Sequence, residues 1–447
     1  MRPESSSSAL LTDLYQLTML DGYVRHGMEE TAVFEFFVRK LPPRRSFLVA
    51  AGLEQLLEFL AGLRFEAEEL DWIAGSGRFS PALVDYLCRL RFTGDVDAMA
   101  EGTIVFPDEP IVRVVAPLPQ AQLVESRLIN LVHFQTLIAS KAARTVLAAP
   151  GKLLVDFGMR RAHGAEAGLL AARAAYLAGM SGSSTVLAGL RFGVPVFGTM
   201  AHSYVQAHND EAEAFLRSAR SQAPPIVLLL DTYDTEAAAQ KVVALAPRLR
   251  EEGITIAAVR LDSGDLAEHA RRVRRILDAG GLGAVTIFVS SSLDEERIRD
   301  LLASAAPIDG FGIGSRLDTS ADAPYLDCAY KLQEYAGRAR RKRSEGKATW
   351  PGRKQVYRRY DGDGRMLEDV LTLVDDPQEG EALLRPVMAG GRRVGPAVSL
   401  VAARARAAAQ LAALPEPLRR LEGGPAYPVH VAPALVRLAE AVDAWAR

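Results

Sequence analysis

The chain has 447 residues, 49% of them hydrophobic and 24% charged, which is enough apolar material for one large core or two unequal ones. Lys+Arg 53 against Asp+Glu 55 gives a formal charge of -2, so no global positive field exists to hold a nucleic-acid backbone. A local basic patch remains compatible with a phosphate-bearing small molecule, and the apolar content excludes disordered and collagen-like readings.

Cys88 and Cys328 stand far apart and outside metal-ligand spacing, which makes a disulfide framework or zinc site a poor expectation and a reducing, cytoplasmic setting the default. Met1 to Leu11 carries a serine run but no apolar stretch of signal-peptide length. The longest apolar runs, such as Ile226 to Leu230 and Ile254 to Val259, fall far below the ~20 residues of a membrane-spanning helix. No membrane partner is expected.

In chain order, TAVFEFFV from Thr31 to Val38 and the segment Phe47 to Ala50 are β-branched and aromatic, as strands are. Leu53, Leu56, Leu57 and Leu60 recur at helical spacing. A second helix is expected around Val84, Leu87 and Leu90, with Ser80 as N-cap and Pro81 in its first turn. Short apolar runs between Phe92 and Val115 suggest a small curved sheet.

From Gln122 onward, helices alternate with short apolar runs: Leu153 to Phe157, Ile226 to Leu230, Ile254 to Val259, Val285 to Val289 and Ile308 to Ile313. Successive ends lie roughly 20 to 35 residues apart, the length of a βα unit. The segments Ala238 to Arg250 and Leu266 to Leu277 read as the intervening helices, and Val194 to Phe197 as a further strand. Polar and glycine residues follow each run, which is where a (β/α) barrel or an open parallel sheet places its chemistry. A charge-dense loop at Arg338 to Arg343 precedes a strand at Gln355 to Tyr360 and helices at Val398 to Leu411 and Pro433 to Val442. These C-terminal segments are expected to pack back on the first domain. The resulting division is an N-terminal α+β domain at 1–120, an α/β barrel at 121–345, and C-terminal segments at 346–447.

Several residues at the ends of the apolar runs carry chemistry. Arg160 and Arg161 either clamp a carboxylate or phosphate or pair with surface acids; Phe157 beside them suits a planar ring, and Asp156 can orient either arginine. His202, in GTMAHSYVQ, is one of seven histidines. Its ordinary pKa of about 6.5 permits nucleophilic or acid/base work, against the plainer reading of a hydrogen-bonded core imidazole. In VRLDSGD, Arg260 suits an anion, and Asp262 and Asp265 suit ribose hydroxyls or Mg2+ through water; Asp262 or Ser263 is equally expected to cap the following helix. Asp231 and Asp234 form a second carboxylate pair. Ser290 to Ser292 and Gly310, Gly312 and Gly314 in GFGIGSRL allow backbone N–H groups to approach a phosphate, with Ser291 and Ser315 adding hydroxyls. Neither segment is a GxxxxGK[ST] or GxGxxG nucleotide loop.

Taken in order, TDLYQLTM, DFGMRRAHG, GSSTVLAG, GTMAHS, LDSGD and GFGIGSRL resemble the nicotinate phosphoribosyltransferase family over nearly the whole chain. The resemblance implies an irregular (β/α) barrel of type II phosphoribosyltransferase kind, with an α+β domain built from N- and C-terminal segments. It implies an enzyme of NAD synthesis that joins nicotinate to 5-phosphoribosyl 1-diphosphate with coupled hydrolysis of ATP, in the presence of Mg2+, as a homodimer with active sites at the subunit interface.

Position by position, the resemblance makes His202 the histidine phosphorylated by ATP. Tyr15, from the neighbouring subunit, and Phe157 become the aromatic pair around the pyridine ring. Arg160 lies near the ring's carboxylate, Arg260 and Asp262 near the ring and ribose, and Ser290, Ser291, Gly312, Gly314 and Ser315 at the 5'-phosphate. Nicotinamide-using relatives carry an aspartate where this chain has Ser184; a carboxylate there would repel nicotinate, so serine favours the acid. The alternatives are a nicotinamide or quinolinate phosphoribosyltransferase, a phosphate-sensing barrel without turnover, and a sugar-phosphate aldolase using Lys141 or Lys152.

Overall fold

The computed structural model describes residues 8–445. They divide into two compact units, one made of the residues up to Ser140 together with those from Ala323 onward, and the other of Lys141–Asp322. The chain passes from the first to the second inside the 24-residue helix Glu125–Ala148.

The first unit is built on the strand Thr31–Val38, of which every residue after Thr31 is buried. A strand buried on both faces needs hydrogen-bonding partners on both edges. It finds them antiparallel in Pro110–Pro117 and in Cys328–Tyr335, about three hundred residues later. Asp95–Met99 then pairs with Pro110–Pro117 on one side and with Leu384–Ala389 on the other, so residues from both ends of the chain complete one seven-stranded sheet. Strands from the C-terminal part of the chain thus complete the sheet of the first unit.

The charged Glu35 in the middle of that strand is fully buried, and the Lys354 ammonium lies 2.7 Å from it. A second buried ion pair joins Arg358 to Asp369 through two hydrogen bonds of 2.9 and 2.6 Å, with the Tyr427 hydroxyl donating to the same carboxylate at 3.1 Å. Ser80 caps the helix Pro81–Arg89 with its hydroxyl accepting from the Leu83 amide.

The second unit carries a parallel sheet of six strands, in the order Gly182–Ser183, Leu153–Asp156, Gly310–Ile313, Thr286–Val289, Ile256–Leu261 and Ile226–Leu229. All its ladders are parallel. Among the described residues the ladder does not close into a ring. Aspartates cap four of its helices, Asp210, Asp234, Asp265 and Asp294 each accepting a hydrogen bond from the first turn.

Two local expectations are corrected. Val194–Phe197 is not a strand: only a single bridge, between Val196 and Ser183, forms there, since Pro195 has no N–H to donate and Gly193 turns left-handed just before it. The cap of the helix Leu266–Ala279 is Asp265 rather than Asp262 or Ser263, its carboxylate accepting from the Ala267 and Glu268 amides at 3.1 Å. Among the described residues, no helix is long and apolar enough to cross a membrane.

Removing one partner of a buried ion pair strands the other charge. Asp369→Ala should therefore lower unfolding stability by about 3–5 kcal/mol, read from the urea midpoint, while the exposed pair Arg217–Glu213 should tolerate Glu213→Ala with a change below about 1 kcal/mol.

Candidate active site

The carboxyl ends of the parallel strands bring together residues drawn from several loops. Arg260 lies inside Ile256–Leu261 rather than after it, because that strand begins two residues later than the apolar run suggests. Its guanidinium is held on three sides: Nε donates to the Ser290 hydroxyl at 2.9 Å, one terminal nitrogen to Thr199 Oγ1 at 2.9 Å, and the other lies 3.0 Å from Asp262. The same group sits over the Phe157 ring, 5.4 Å from its centroid. A guanidinium has five N–H donors; with three engaged in this way, two remain for a bound anion.

Asp262 is fixed in turn. Its carboxylate accepts from the Ser290 hydroxyl at 2.5 Å, and its backbone amide donates to Asp231 at 3.0 Å. Asp231 also accepts from the Ser263 hydroxyl, while its other carboxylate oxygen is buried without a hydrogen-bond partner among the described residues. Asp234, by contrast, is occupied as a helix cap.

His202 opens the short helix His202–Gln206. Its Nδ1 lies 3.3 Å from Thr232 Oγ1 and its Nε2 lies 3.7 Å from Asp262. The side chain is 39% exposed, so it is not the enclosed core histidine that composition alone allows. If Nδ1 carries the proton and donates to Thr232, Nε2 keeps a lone pair toward the cleft.

Phe157 follows directly on Leu153–Asp156 and packs against Phe288, with ring centroids 5.8 Å apart. Behind the two rings is a cavity of about 560 Å³ lined by Val155, Val196, Val227, Ala258 and Ile287 among others. Glycine is required beside them: a Cβ on Gly312 would stand 2.6 Å from the Phe157 ring, and one on Gly310 would stand 2.8 Å from Phe288. At these two positions the GFGIG pattern therefore has a packing cause independent of any phosphate. Gly314 precedes the four-residue helix Ser315–Asp318, placing Ser315 at its first turn. Ser290 is buried, and Ser291 and Ser292 take positive φ angles of 106° and 47°. That backbone costs about 1–3 kcal/mol per residue and persists only where its surroundings over-determine it.

Other expected residues are held outside the hydrogen-bond network of Arg260 and Asp262. Arg160 and Arg161 form an exposed 3-10 turn. Asp156 orients neither of them: it is fully buried, and its carboxylate accepts from the Gly158 amide and the Ser183 hydroxyl, each at 2.7 Å. Ser184 is half-buried, its amide donating to the Asp156 carbonyl at 2.8 Å. Tyr15 belongs to the other unit, where it is 47% exposed on the helix Leu14–Arg25. Thr199 and Thr232 were missed in the sequence, although Thr199 lies within the GTMAHS motif. Asp318, buried beside Asp156, was missed as well.

The curled half-barrel of parallel strands with its strand-end site is that of the type II phosphoribosyltransferases. The structure superimposes on human nicotinic acid phosphoribosyltransferase with a TM-score of 0.86 at 31% identity, covering 97% of this chain and 99% of that one. Nicotinate-nucleotide pyrophosphorylase from Pyrococcus furiosus gives 0.75 at 26% identity, covering 92% and 97%. Profiles of the nicotinate phosphoribosyltransferase N-terminal domain, family and C-terminal domain match residues 10–133, 153–347 and 376–439. A nicotinate phosphoribosyltransferase of Mycobacterium tuberculosis, pncB2, is 49% identical over 96% of this chain and 92% of its own length. The chain belongs to the nicotinate phosphoribosyltransferase family.

The packing of Gly312 against the ring gives a direct test. Gly312→Ala should cost about 1–3 kcal/mol through overpacking, measured by denaturant unfolding, while alanine at the open position Gly198, where a Cβ meets nothing within 4 Å, should not.

Proposed function

We propose that this chain joins nicotinate to 5-phosphoribosyl 1-diphosphate, giving nicotinate mononucleotide and diphosphate, with hydrolysis of ATP coupled to the reaction. The observation that carries the reading is the convergence of Arg260, Asp262, Ser290, His202 and Phe157 at one end of a parallel sheet.

Both substrates are anions, and a partly buried guanidinium with two uncommitted donors offsets their repulsion where water is scarce. Phe157 offers a face to the pyridine ring. Ser184 and Arg160 tolerate and attract its carboxylate, and Tyr15 closes the other face from a second copy of the chain. Ser290, Ser291, Gly312, Gly314 and Ser315 receive the 5'-phosphate. As diphosphate leaves C1, the ribose gains positive character and the pyridine nitrogen attacks with its own lone pair, so no general base is needed. Asp262 steadies the ribose hydroxyls or the developing charge.

The hard oxygen donors Asp231 and Asp262 fit Mg2+, a cation that keeps water and substrate phosphate oxygens as most of its ligands; the partnerless buried oxygen of Asp231 agrees with this. When bound, Mg2+ neutralises charge on the departing diphosphate. His202 takes the γ-phosphoryl group of ATP on Nε2, releasing ADP, and hydrolysis later returns phosphate, coupling that energy to substrate binding. The proposed homodimer is supported by exposed apolar side chains on each unit, Leu11 and Leu14 on one and Val186 and Leu190 on the other. Two free cysteines agree with a cytoplasmic setting.

Mass detection of nicotinate mononucleotide, with ATP varied and nicotinamide or quinolinate offered in competition, tests the whole reading; absence of product would reject it. Arg260→Ala should lower kcat/KM by about 10²–10³-fold, as loss of one preorganised donor does. Ser184→Asp should raise the KM for nicotinate by about tenfold or more through like-charge repulsion. His202→Ala should abolish the ATP-dependent part of turnover; unchanged coupling would remove that role from the histidine.

A further inference from the structure

Beneath the proposed nicotinate pocket lie two buried carboxyl groups that the reaction itself does not use. Asp156 ends the strand Leu153–Asp156, and Asp318 ends the helix Ser315–Asp318 that follows the strand Gly310–Ile313. Their relative exposures are 0% and 2%. The Asp318 carboxyl is pressed against Gly158: a Cβ on that glycine would come within 2.2 Å of Asp318 Cγ. Only glycine fits there.

Their hydrogen bonding is unequal. Burial raises the Asp156 carboxyl too, but its hydrogen bonds from the Ser183 hydroxyl and the Gly158 amide oppose that and favour its anion over that of Asp318. Neither oxygen of Asp318 receives a hydrogen bond from any described residue. Adjacent buried carboxyls cannot both ionise without a cation. The charged groups on the elements packed around them do not supply one: Arg160 and Arg161 are exposed, Arg173 on the helix Ala165–Leu177 lies over the Phe192 ring, Arg316 pairs with Asp294, and among the described residues no cation acts on either carboxyl. Buried, without a donor to either oxygen and beside the Asp156 carboxyl, Asp318 is the member of the pair on which a proton is better held. Burial first, and the neighbouring charge of Asp156 second, push the Asp318 carboxyl well above the ordinary carboxylate range.

We propose that Asp318 is a positioning residue of the nicotinate pocket, its neutral carboxyl donating a hydrogen bond that holds the Asp156 carboxylate between the Gly158 amide and the Ser183 hydroxyl. The clamp ties together the loops after three neighbouring strands. Through Gly158 it sets Phe157; through Ser183, whose hydroxyl also accepts from the Thr185 amide at 3.0 Å, it sets Ser184. The positioning role rests on the reading of Phe157 and Ser184 as nicotinate contacts.

The test is steady-state kinetics of the full chain, with nicotinate and the ribosyl diphosphate varied separately, alongside thermal melting at several pH values. Asp318→Asn keeps an N–H donor toward Asp156 and should hold the KM for nicotinate within about threefold of the parent, whereas Asp318→Leu removes the donor and should raise it about tenfold or more. The KM for the ribosyl diphosphate should stay within about twofold in both.

The native state keeps a proton on Asp318 that the unfolded chain releases above the ordinary Asp range, so the parent loses stability as pH rises. Asp318→Asn removes that loss, and its gain in melting temperature over the parent should grow between pH 5 and pH 8. Equal impairment of the Asn and Leu variants, parallel movement of both KM values, or a gain independent of pH would each overturn the proposal. If the Leu variant does not fold, Ser183→Ala cuts the same clamp and must show the same split in KM. A parent without nicotinate turnover would reject the reading of the pocket, and in that case the pH dependence of melting still decides the protonation of the pair.

Discussion

Arg260 is the constraint around which the second unit arranges its chemistry. A guanidinium that is 12% exposed must be compensated by its surroundings, and the groups that hold three of its donors and one face come from four separate loops: Thr199, Asp262, Ser290 and Phe157. Each is therefore fixed by contact with the same planar cation. Moving one loop would leave a buried donor unsatisfied. This is why a site assembled from short strand-end segments holds its geometry before any ligand arrives, which limits the reorganisation that binding must overcome.

Glycine placement extends the same logic from charge to volume. Gly310 and Gly312 free the space into which Phe288 and Phe157 turn their rings, and Gly158 frees the space for the Asp318 carboxyl. The aromatic face and the cation above it are thus positioned by absent side chains on the neighbouring strand as much as by the contacts they make.

Much of the second unit is legible in the amino-acid order because parallel strands buried on both faces read as unbroken apolar runs: IVLL, IAAV and TIFV each fall in a strand. The polar residue after such a run falls in the strand-end cluster, as Asp231 and Asp262 do. Local pattern fails where the backbone cannot donate, as at Pro195, and where contact depends on residues remote in sequence. Nothing near Arg260 announces Thr199, sixty-one residues earlier, and nothing near Asp156 announces Asp318. The strands Met366–Leu373 and Leu384–Ala389 also escaped, because their alternation is diluted by edge charges and by Pro386. The role given to Tyr15 and the coupling to ATP came from family resemblance alone; no spacing or composition signals either.

The discontinuity of the first unit orders events during synthesis. Its strand Thr31–Val38 lacks one neighbour until Cys328–Tyr335 has been made, whereas Lys141–Asp322 is contiguous and has every strand of its sheet by residue 313. On a chain emerging from its N-terminus, the inserted unit can complete its sheet first, while an apolar edge of the earlier one waits, exposed to pairing with the wrong partner. For this molecule, the passage from ribosome to finished core is the interval in which aggregation competes most directly with folding.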